Sequence, residues 1–327
     1  MKKYIILGII IVVIGILYIC NRKTYSIEFG LSFDRQYANY LGLDWKNTYT
    51  KMLTDLKPKY IRISANWNTL EGEKGKYTFA DLDWQMNEAK KHNTKVLLVI
   101  GQKTPHWPEC HVPRWLETQT KDEIKEDLLT YVRTVVERYK KNTALDMWQV
   151  ENEPFIHFEF GQCLNYHSEF TYDEIALVRE LDPDHKILVT DSGEMGLWRK
   201  ARKAGDYFGT TLYRIVRTPK GYIWSYDWVP AVIYRWKALF TGVDLNSFFI
   251  SELQAEPWLT GEHPKNTPRE EQEKTMNLER LSRHVEYARH VGAKRAYLWG
   301  VEWWYFMEEN YGERGYLELG KDILTNF

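Results

Sequence analysis

The chain has 327 residues, 44% of them hydrophobic and 27% charged, with a formal net charge of −1. That composition excludes a disordered or low-complexity chain and supplies apolar material for a large core. From residue 24 onward 40 basic residues stand against 45 acidic ones, which argues against a nucleic-acid binder, since such a protein carries a basic patch or stripe.

The first 23 residues, MKKYIILGIIIVVIGILYICNRK, differ from all that follow. Two lysines precede 17 uncharged, mostly aliphatic residues from Tyr4 to Cys20, and Arg22 and Lys23 come after. A helix of that length is roughly 26 Å long at about 1.5 Å per residue, near the lower limit for a membrane span. A cleaved signal peptide ends in small residues, and Leu17, Tyr18 and Ile19 supply none. A lipoprotein signal would use Cys20, but bulky Ile19 precedes it. Residues 1–23 are therefore read as an uncleaved anchor through residues 4–20, and residues 24–327 as one domain held outside the cytoplasmic membrane. Secretion after signal cleavage is the alternative. Positive charge on both flanks favours a cytoplasmic N-terminus only weakly.

Beyond residue 24 short β-rich apolar runs alternate with helical segments, without repeats or linkers. YSIEFGLSF (25–33) is followed by a helix near 45–56, KYIRISANW (59–67) by one near 80–92, and KVLLVIGQK (95–103) by one that opens at Thr120. That last segment starts with the capping box Thr-Lys-Asp-Glu and places Ile124, Leu128, Val132, Val135 and Tyr139 at steps of three or four. ALDMWQVENEP (144–154), KILVTDSG (186–193) and YFGTTLYRIV (207–216) follow, with helices near 168–182, 196–205 and 229–240. SFFISELQAE (247–256) precedes a helix capped by Thr267, with Pro268 at its first position, Leu278, Leu281, Val285, Ala288 and Val291 on one stripe, and Gly292 as its stop. RAYLWGVEWW (295–304) is the eighth run.

Near-continuous apolar strands separated by helices indicate parallel β-structure covered on both faces. Eight such units in about 300 residues predict an α/β fold, a (β/α)8 barrel. An open doubly wound sheet would be favoured by a glycine-rich phosphate loop after the first strand, and FGLSFDRQ is not one.

A barrel of this kind presents chemistry at the carboxyl ends of its strands. There the sequence offers Arg62, His106, the cluster Glu151-Asn152-Glu153, Asp191, Tyr213, Glu252, and Trp299 with Glu302. NEP ending strand four, ISE ending strand seven and a tryptophan on strand eight resemble the retaining glycoside hydrolases of the large (β/α)8-barrel clan with catalytic glutamates on strands four and seven. IRISANWNTLEGEKGKYTFADLD also looks like the strand-two region of these enzymes. The resemblance implies Glu153 as general acid/base, Glu252 as nucleophile, Asn152 on the sugar 2-hydroxyl, Arg62 and Tyr213 in support of Glu252, and Trp299 as the floor of the cleavage subsite. One departure stands out: several members carry a histidine two residues before the strand-six tyrosine, where this chain has Thr211. Strand alternation alone does not choose between Glu151 and Glu153, which share a face.

Each of these residues also has a bland reading: solvated or structural carboxylates, a barrel arginine as an ion-pair partner, a core tryptophan. Glu151, Asp191, Glu256 and Glu302 fit structural or rim roles. His106, Cys110 and His111 lie within six residues, but their spacing matches no familiar zinc pattern. Cys110 and Cys163, in the loops after strands three and four, form an even pair that could close a disulfide in an oxidising compartment. His106 would then point into the sugar site. The insertion RTPKGYIWSYDWVPAVIYRWKALFTG (217–242), with three tryptophans and three tyrosines, would shape that site or rest on a membrane surface or partner. The expected function is hydrolysis of an equatorial, β-linked oligo- or polysaccharide without cofactor or metal. A carbohydrate-binding barrel without catalysis is a rival, as is a metal-dependent hydrolase, which lacks its His-x-His pair on strand one.

Overall fold

Eight parallel strands close into a barrel in a computed structural model that describes residue 15 and residues 21–156, 161–163, 165–218, 220–259 and 261–326. The barrel strands are β1 (Glu28–Ser32), β2 (Tyr60–Ser64), β3 (Lys95–Ile100), β4 (Leu145–Val150), β5 (Lys186–Asp191) and β6 (Tyr207–Leu212). A two-stranded antiparallel hairpin, β7 (Ile215–Arg217) with β8 (Ile223–Ser225), intervenes before β9 (Phe248–Gln254) and β10 (Arg295–Trp299) complete the ring. Hydrogen bonding runs in the order β1-β10-β9-β6-β5-β4-β3-β2 and returns to β1. The (β/α)8 expectation holds. The expected anchor lies almost wholly outside the described residues, and among the described residues no helix is long and apolar enough to cross a membrane.

Strand alternation divides the core into two layers. Ile61, Ile63, Val96, Leu98, Trp148, Val150 and Ile250 point outward and pack under the helices. Tyr60, Leu97, Met147, Leu188, Phe249 and Tyr297 point inward and fill the lower barrel. This aromatic filling is tight against β1: a Cβ on Gly30 would stand 2.7 Å from the Tyr60 carbonyl oxygen and 3.1 Å from the Tyr297 ring. One step up β2 on the same inner face, Arg62 replaces apolar filling with charge, and the reactive layer begins.

The expected capping box at Thr120 is present and starts the helix Lys121–Tyr139. Two expectations need correction. The eighth run is strand only to Trp299: Gly300, at φ +124°, turns the chain into the helix Val301–Tyr311, so VEWW is helical and its buried aromatics face the core. The helix expected from Thr267 is broken. A short helix Arg269–Glu273 follows Pro268, which sits at the cap position, and a second helix, Leu278–Val291, has its own cap, Asn277, whose side chain accepts from Arg280 N. Gly292, at φ +79°, ends that helix as expected.

The insertion at 217–242 supplies the end of the hairpin and the helix Val232–Thr241. Its Tyr222, Trp224 and Trp228 are exposed. Arg217 ties the hairpin to the loop after β9, with Nε donating to the Trp258 carbonyl at 3.2 Å and Nη2 pairing with Glu271 at 2.5 Å.

Candidate active site

Glu252 is placed by an irregularity in its strand. Against β6, Thr210 pairs with Ile250 but Thr211 pairs with Glu252, so β9 carries one extra residue, Ser251. Bulges of this kind re-aim a side chain. The Glu252 carboxylate enters the barrel mouth, where Oε1 accepts from Arg62 Nη1 at 2.8 Å and Oε2 accepts from the Tyr213 hydroxyl at 2.8 Å. Arg62 is only 2% exposed, yet none of its three nitrogens is idle. Nε donates to Gln149 Oε1 and Nη2 to Asn152 Oδ1, both at 2.9 Å. A buried guanidinium is tolerable when it is paired and fully hydrogen bonded. Here it also fixes the Asn152 amide, whose oxygen accepts from Arg62 and whose Nδ2 donates to Glu109 Oε2 at 3.3 Å.

The two acids of Glu-Asn-Glu separate because the backbone leaves strand geometry at β4's end. Glu151 and Glu153 both adopt left-handed φ, +61° and +48°, an uncommon state for side-chain-bearing residues and one that clusters at functional sites. Glu151 turns away toward β3, where its Oε1 accepts from Gln102 N at 2.8 Å and its Oε2 from Lys103 N at 2.6 Å. Buried Glu174 lies against it, and burial raises both carboxyls above the ordinary range. Glu153 faces the mouth. Its amide donates to Thr190 Oγ1 at 2.9 Å, and its Oε1 accepts from Thr211 Oγ1 at 3.1 Å. Burial first, and then the charge of nearby Glu252, push the Glu153 carboxyl up to about 8. One carboxylate is thus held by a cation and a phenol, and the other by a neutral hydroxyl.

An aromatic wall closes one side. Trp299 Nε1 donates to Glu256 Oε1 at 2.8 Å, and its indole stacks on His106 with centroids 3.9 Å apart. The other face of that imidazole stacks on Tyr37 at 4.8 Å. Burial pushes the pKa of His106 down to about 4, so the ring is neutral at neutral pH. On the opposite side Trp258 meets Tyr213 edge to face at 5.1 Å. The structure thus brings Arg62, Asn152, Glu153, Tyr213 and Glu252 together, with His106 and Trp299 as stacked neighbours.

The remaining acids are occupied elsewhere. Asp191 accepts from Ser192 N and Trp198 N at 2.9 and 2.7 Å. Glu302 Oε1 accepts from Asp34 N. Cys110 is bonded to Cys163, which removes it from any zinc set, and His111 Nε2 lies 3.1 Å from the His106 carbonyl. Residues that sequence reasoning passed over also line the mouth. Thr211 appeared only as a departure from a pattern, Gln149 reads as one more strand residue, and Lys103 and Glu109 sit in a loop whose path no periodicity encodes.

Comparison with known proteins follows the same lines. The profile of glycosyl hydrolase family 10 matches residues 47–202, under half of the chain. Endo-1,4-beta-xylanase 3 of Hypocrea jecorina is 27% identical over 135 residues, 39% of this chain and 36% of that protein. Mannan endo-1,4-beta-mannosidase F of Aspergillus clavatus is 23% identical over 129 residues, 36% of this chain and 27% of that protein. The chain thus spans about a third of the length of the curated relatives it matches. Among solved structures, native xylanase 10B from Thermotoga maritima superposes with a TM-score of 0.60 at 15% identity, covering 92% of this chain and 95% of that one. A beta-galactosidase from the haloarchaeon Halorubrum lacusprofundi gives 0.57 at 16%, covering 91% and 58%.

Proposed function

We propose that this chain, which belongs to the clan of (β/α)8-barrel glycoside hydrolases, is a retaining glycosidase acting on an equatorial, β-linked oligo- or polysaccharide. The observation that carries this reading is the unequal treatment of two buried carboxylates at the barrel mouth. Glu252 is paired with Arg62 and Tyr213, which suits an ionised nucleophile. Glu153, raised to about 8, keeps its proton at neutral pH and suits a general acid. In such a reaction Glu252 attacks the anomeric carbon while Glu153 protonates the leaving oxygen. Glu153 then takes a proton from the water that releases the sugar from Glu252. Asn152 Nδ2 is positioned as a donor to the sugar's 2-hydroxyl, and Trp299 offers a flat face for the ring.

The test is reducing-sugar release by the full chain from β-linked xylan, mannan and glucan oligosaccharides and from aryl β-glycosides, run beside Glu252→Ala with a chelator present. Release that disappears in the variant supports the assignment. Hydrolysis that survives the substitution, or depends on a metal, sinks it.

Residues 4–20 are read as a tether that holds the domain outside the cytoplasmic membrane. Supporting this, Asn21, next to that apolar run, accepts a hydrogen bond through Oδ1 from Val232 N at 3.2 Å. Val232 opens a helix whose outward stripe of Ile233, Trp236 and Phe240 is apolar, with Phe240 82% exposed. Tryptophan is enriched at the level of lipid headgroups. Flotation of the full chain with lipid vesicles, compared with residues 24–327, tests the tether; a full chain left at the bottom of the gradient refutes it.

A further inference from the structure

Two charged side chains in the barrel mouth take no part in the reaction described above. Lys103 is 3% exposed and Glu109 8%, both in the loop that follows β3. Burying charges is costly unless they are closely paired and hydrogen bonded, and these two are not closely paired with each other. Lys103 Nζ stands 4.0 Å from Glu109 Oε2, beyond hydrogen-bond reach, whereas the surface pairs Lys59–Glu28 and Lys121–Glu169 close to 2.5 Å. Among the described residues, the same Glu109 oxygen accepts one long bond, 3.3 Å, from Asn152 Nδ2.

The gap is held open by the backbone. Lys103 is pinned at both ends of its peptide unit, its N–H donating to Glu151 Oε2 and its carbonyl accepting from Asn152 N at 2.7 Å. Glu109, at φ +73°, is locked by the bond from Thr104 N to its carbonyl at 2.9 Å and by the neighbouring disulfide Cys110–Cys163. Gly161 presses on it from the β4 loop, where a Cβ would come within 2.6 Å of Glu109 Cβ. An ammonium can only donate, and a carboxylate, the form Glu109 takes above about pH 7, can only accept. A group that bridges them must do both, and one oxygen at about 2.8 Å from each atom would span a separation of 4.0 Å. A hydroxyl satisfies this; an anion would meet Glu109, and a cation would meet Lys103.

The geometry points to Lys103 and Glu109 as a subsite for a second ring hydroxyl, the neighbour of the one held by Asn152, so that the recognised element of the sugar is a vicinal diol. This rests on the glycosidase reading, in which Asn152 takes the 2-hydroxyl and the pair takes the 3-hydroxyl. Lys103 donates to that oxygen and the hydroxyl donates to Glu109, which closes the 4.0 Å gap between them.

The experiment compares kcat/KM for the aryl β-glycoside that the enzyme hydrolyses best with its 3-deoxy and 2-deoxy analogues, in the native chain, Lys103→Met and Glu109→Gln. The native enzyme should reject the 3-deoxy sugar by at least about 100-fold, since a site built around a hydroxyl rejects its absence strongly. In each variant that rejection should shrink below about tenfold while rejection of the 2-deoxy sugar persists. A native enzyme that accepts the 3-deoxy sugar within about threefold overturns the proposal without any variant. So do folded variants that keep the full 3-deoxy penalty. If neither the oligosaccharides nor any aryl glycoside is hydrolysed, the glycosidase reading fails. The subsite is then judged by calorimetric binding of the parent and 3-deoxy methyl glycosides, with equal affinities overturning it.

Discussion

Replacing Thr211 by Val leaves the side chain's shape nearly unchanged and removes the hydroxyl that donates to Glu153, along with the acceptor that Gly193 N uses at 3.2 Å, and so probes the acid's proton. The Thr211 hydroxyl donates to Glu153 Oε1 at 3.1 Å and favours the ionised carboxylate, opposing the upward push from burial and from Glu252. If Glu153 must be protonated for the first step, kcat/KM falls as pH rises through about 8, tenfold per unit beyond. A hydrogen bond to a charged group contributes about 1.5–3 kcal/mol, and one pKa unit corresponds to about 1.36 kcal/mol. Part of the bond survives to the neutral acid and its length is at the long end, so the expected shift is about one unit upward. The assay is the pH profile of kcat/KM between pH 5 and 10 on an aryl β-glycoside with a poor leaving group. A good leaving group, which needs little proton assistance, should show a shallower alkaline limb. A limb that stays in place or moves to lower pH in Thr211→Val refutes the role given to Glu153.

Arg62→Met strips Glu252, Gln149 and Asn152 of a buried partner; breaking such a pair costs about 3–5 kcal/mol, and the melting temperature should fall by about 5–8 °C. An unchanged melt would show that the guanidinium is dispensable to the fold. Several carboxyls are raised by burial, Glu109, Glu151, Glu194 and Glu256 to about 7 and Glu153 to about 8. Between about pH 4.5 and 8 the folded chain therefore holds more protons than the unfolded one, and stability falls as pH rises. Thermal melts at pH 5.5 should exceed those at pH 8.5, and the opposite order contradicts the burial of these acids. Replacing Cys110 and Cys163 together by serine opens a closure of 53 residues, worth at most about 4 kcal/mol of loop entropy. At 25 °C, with the barrel still folded by circular dichroism, KM should rise because Glu109 and Asn152 lose their fixed relation; an unchanged KM with a lowered melt would confine the bridge to stability.

Much of the barrel was legible because its strands are runs of Ile, Val and Leu between punctuated helices, and parallel burial on both faces leaves that mark. The end of the eighth run was not legible. Val-Glu-Trp-Trp has β-propensity, and only the left-handed turn at Gly300 makes it the first turn of a helix. The break at 274–277 was hidden because the stripe from Leu278 onward continues the periodicity into which Pro268 seemed to lead. At the site, Arg62, Asn152 and Glu252 could be located at strand ends, but the choice between Glu151 and Glu153 depends on two left-handed residues that alternation does not anticipate. Lys103 and Glu109 were out of reach for another reason. Their positions are set by backbone bonds, a disulfide and a glycine from a different loop, which are contacts and not patterns.

The rims of β3 and β4 are stitched at several points: Glu151 onto the amides of Gln102 and Lys103, Asn152 N onto the Lys103 carbonyl, Gln162 N onto the Pro108 carbonyl, and Cys110 onto Cys163. For an engineer, this makes the two rims one module. A graft that imports a β3 loop from a related barrel while keeping the resident β4 loop would discard half of each seam. Recombination libraries for this scaffold should therefore place their crossovers outside residues 101–163, so that both loops are inherited from one parent.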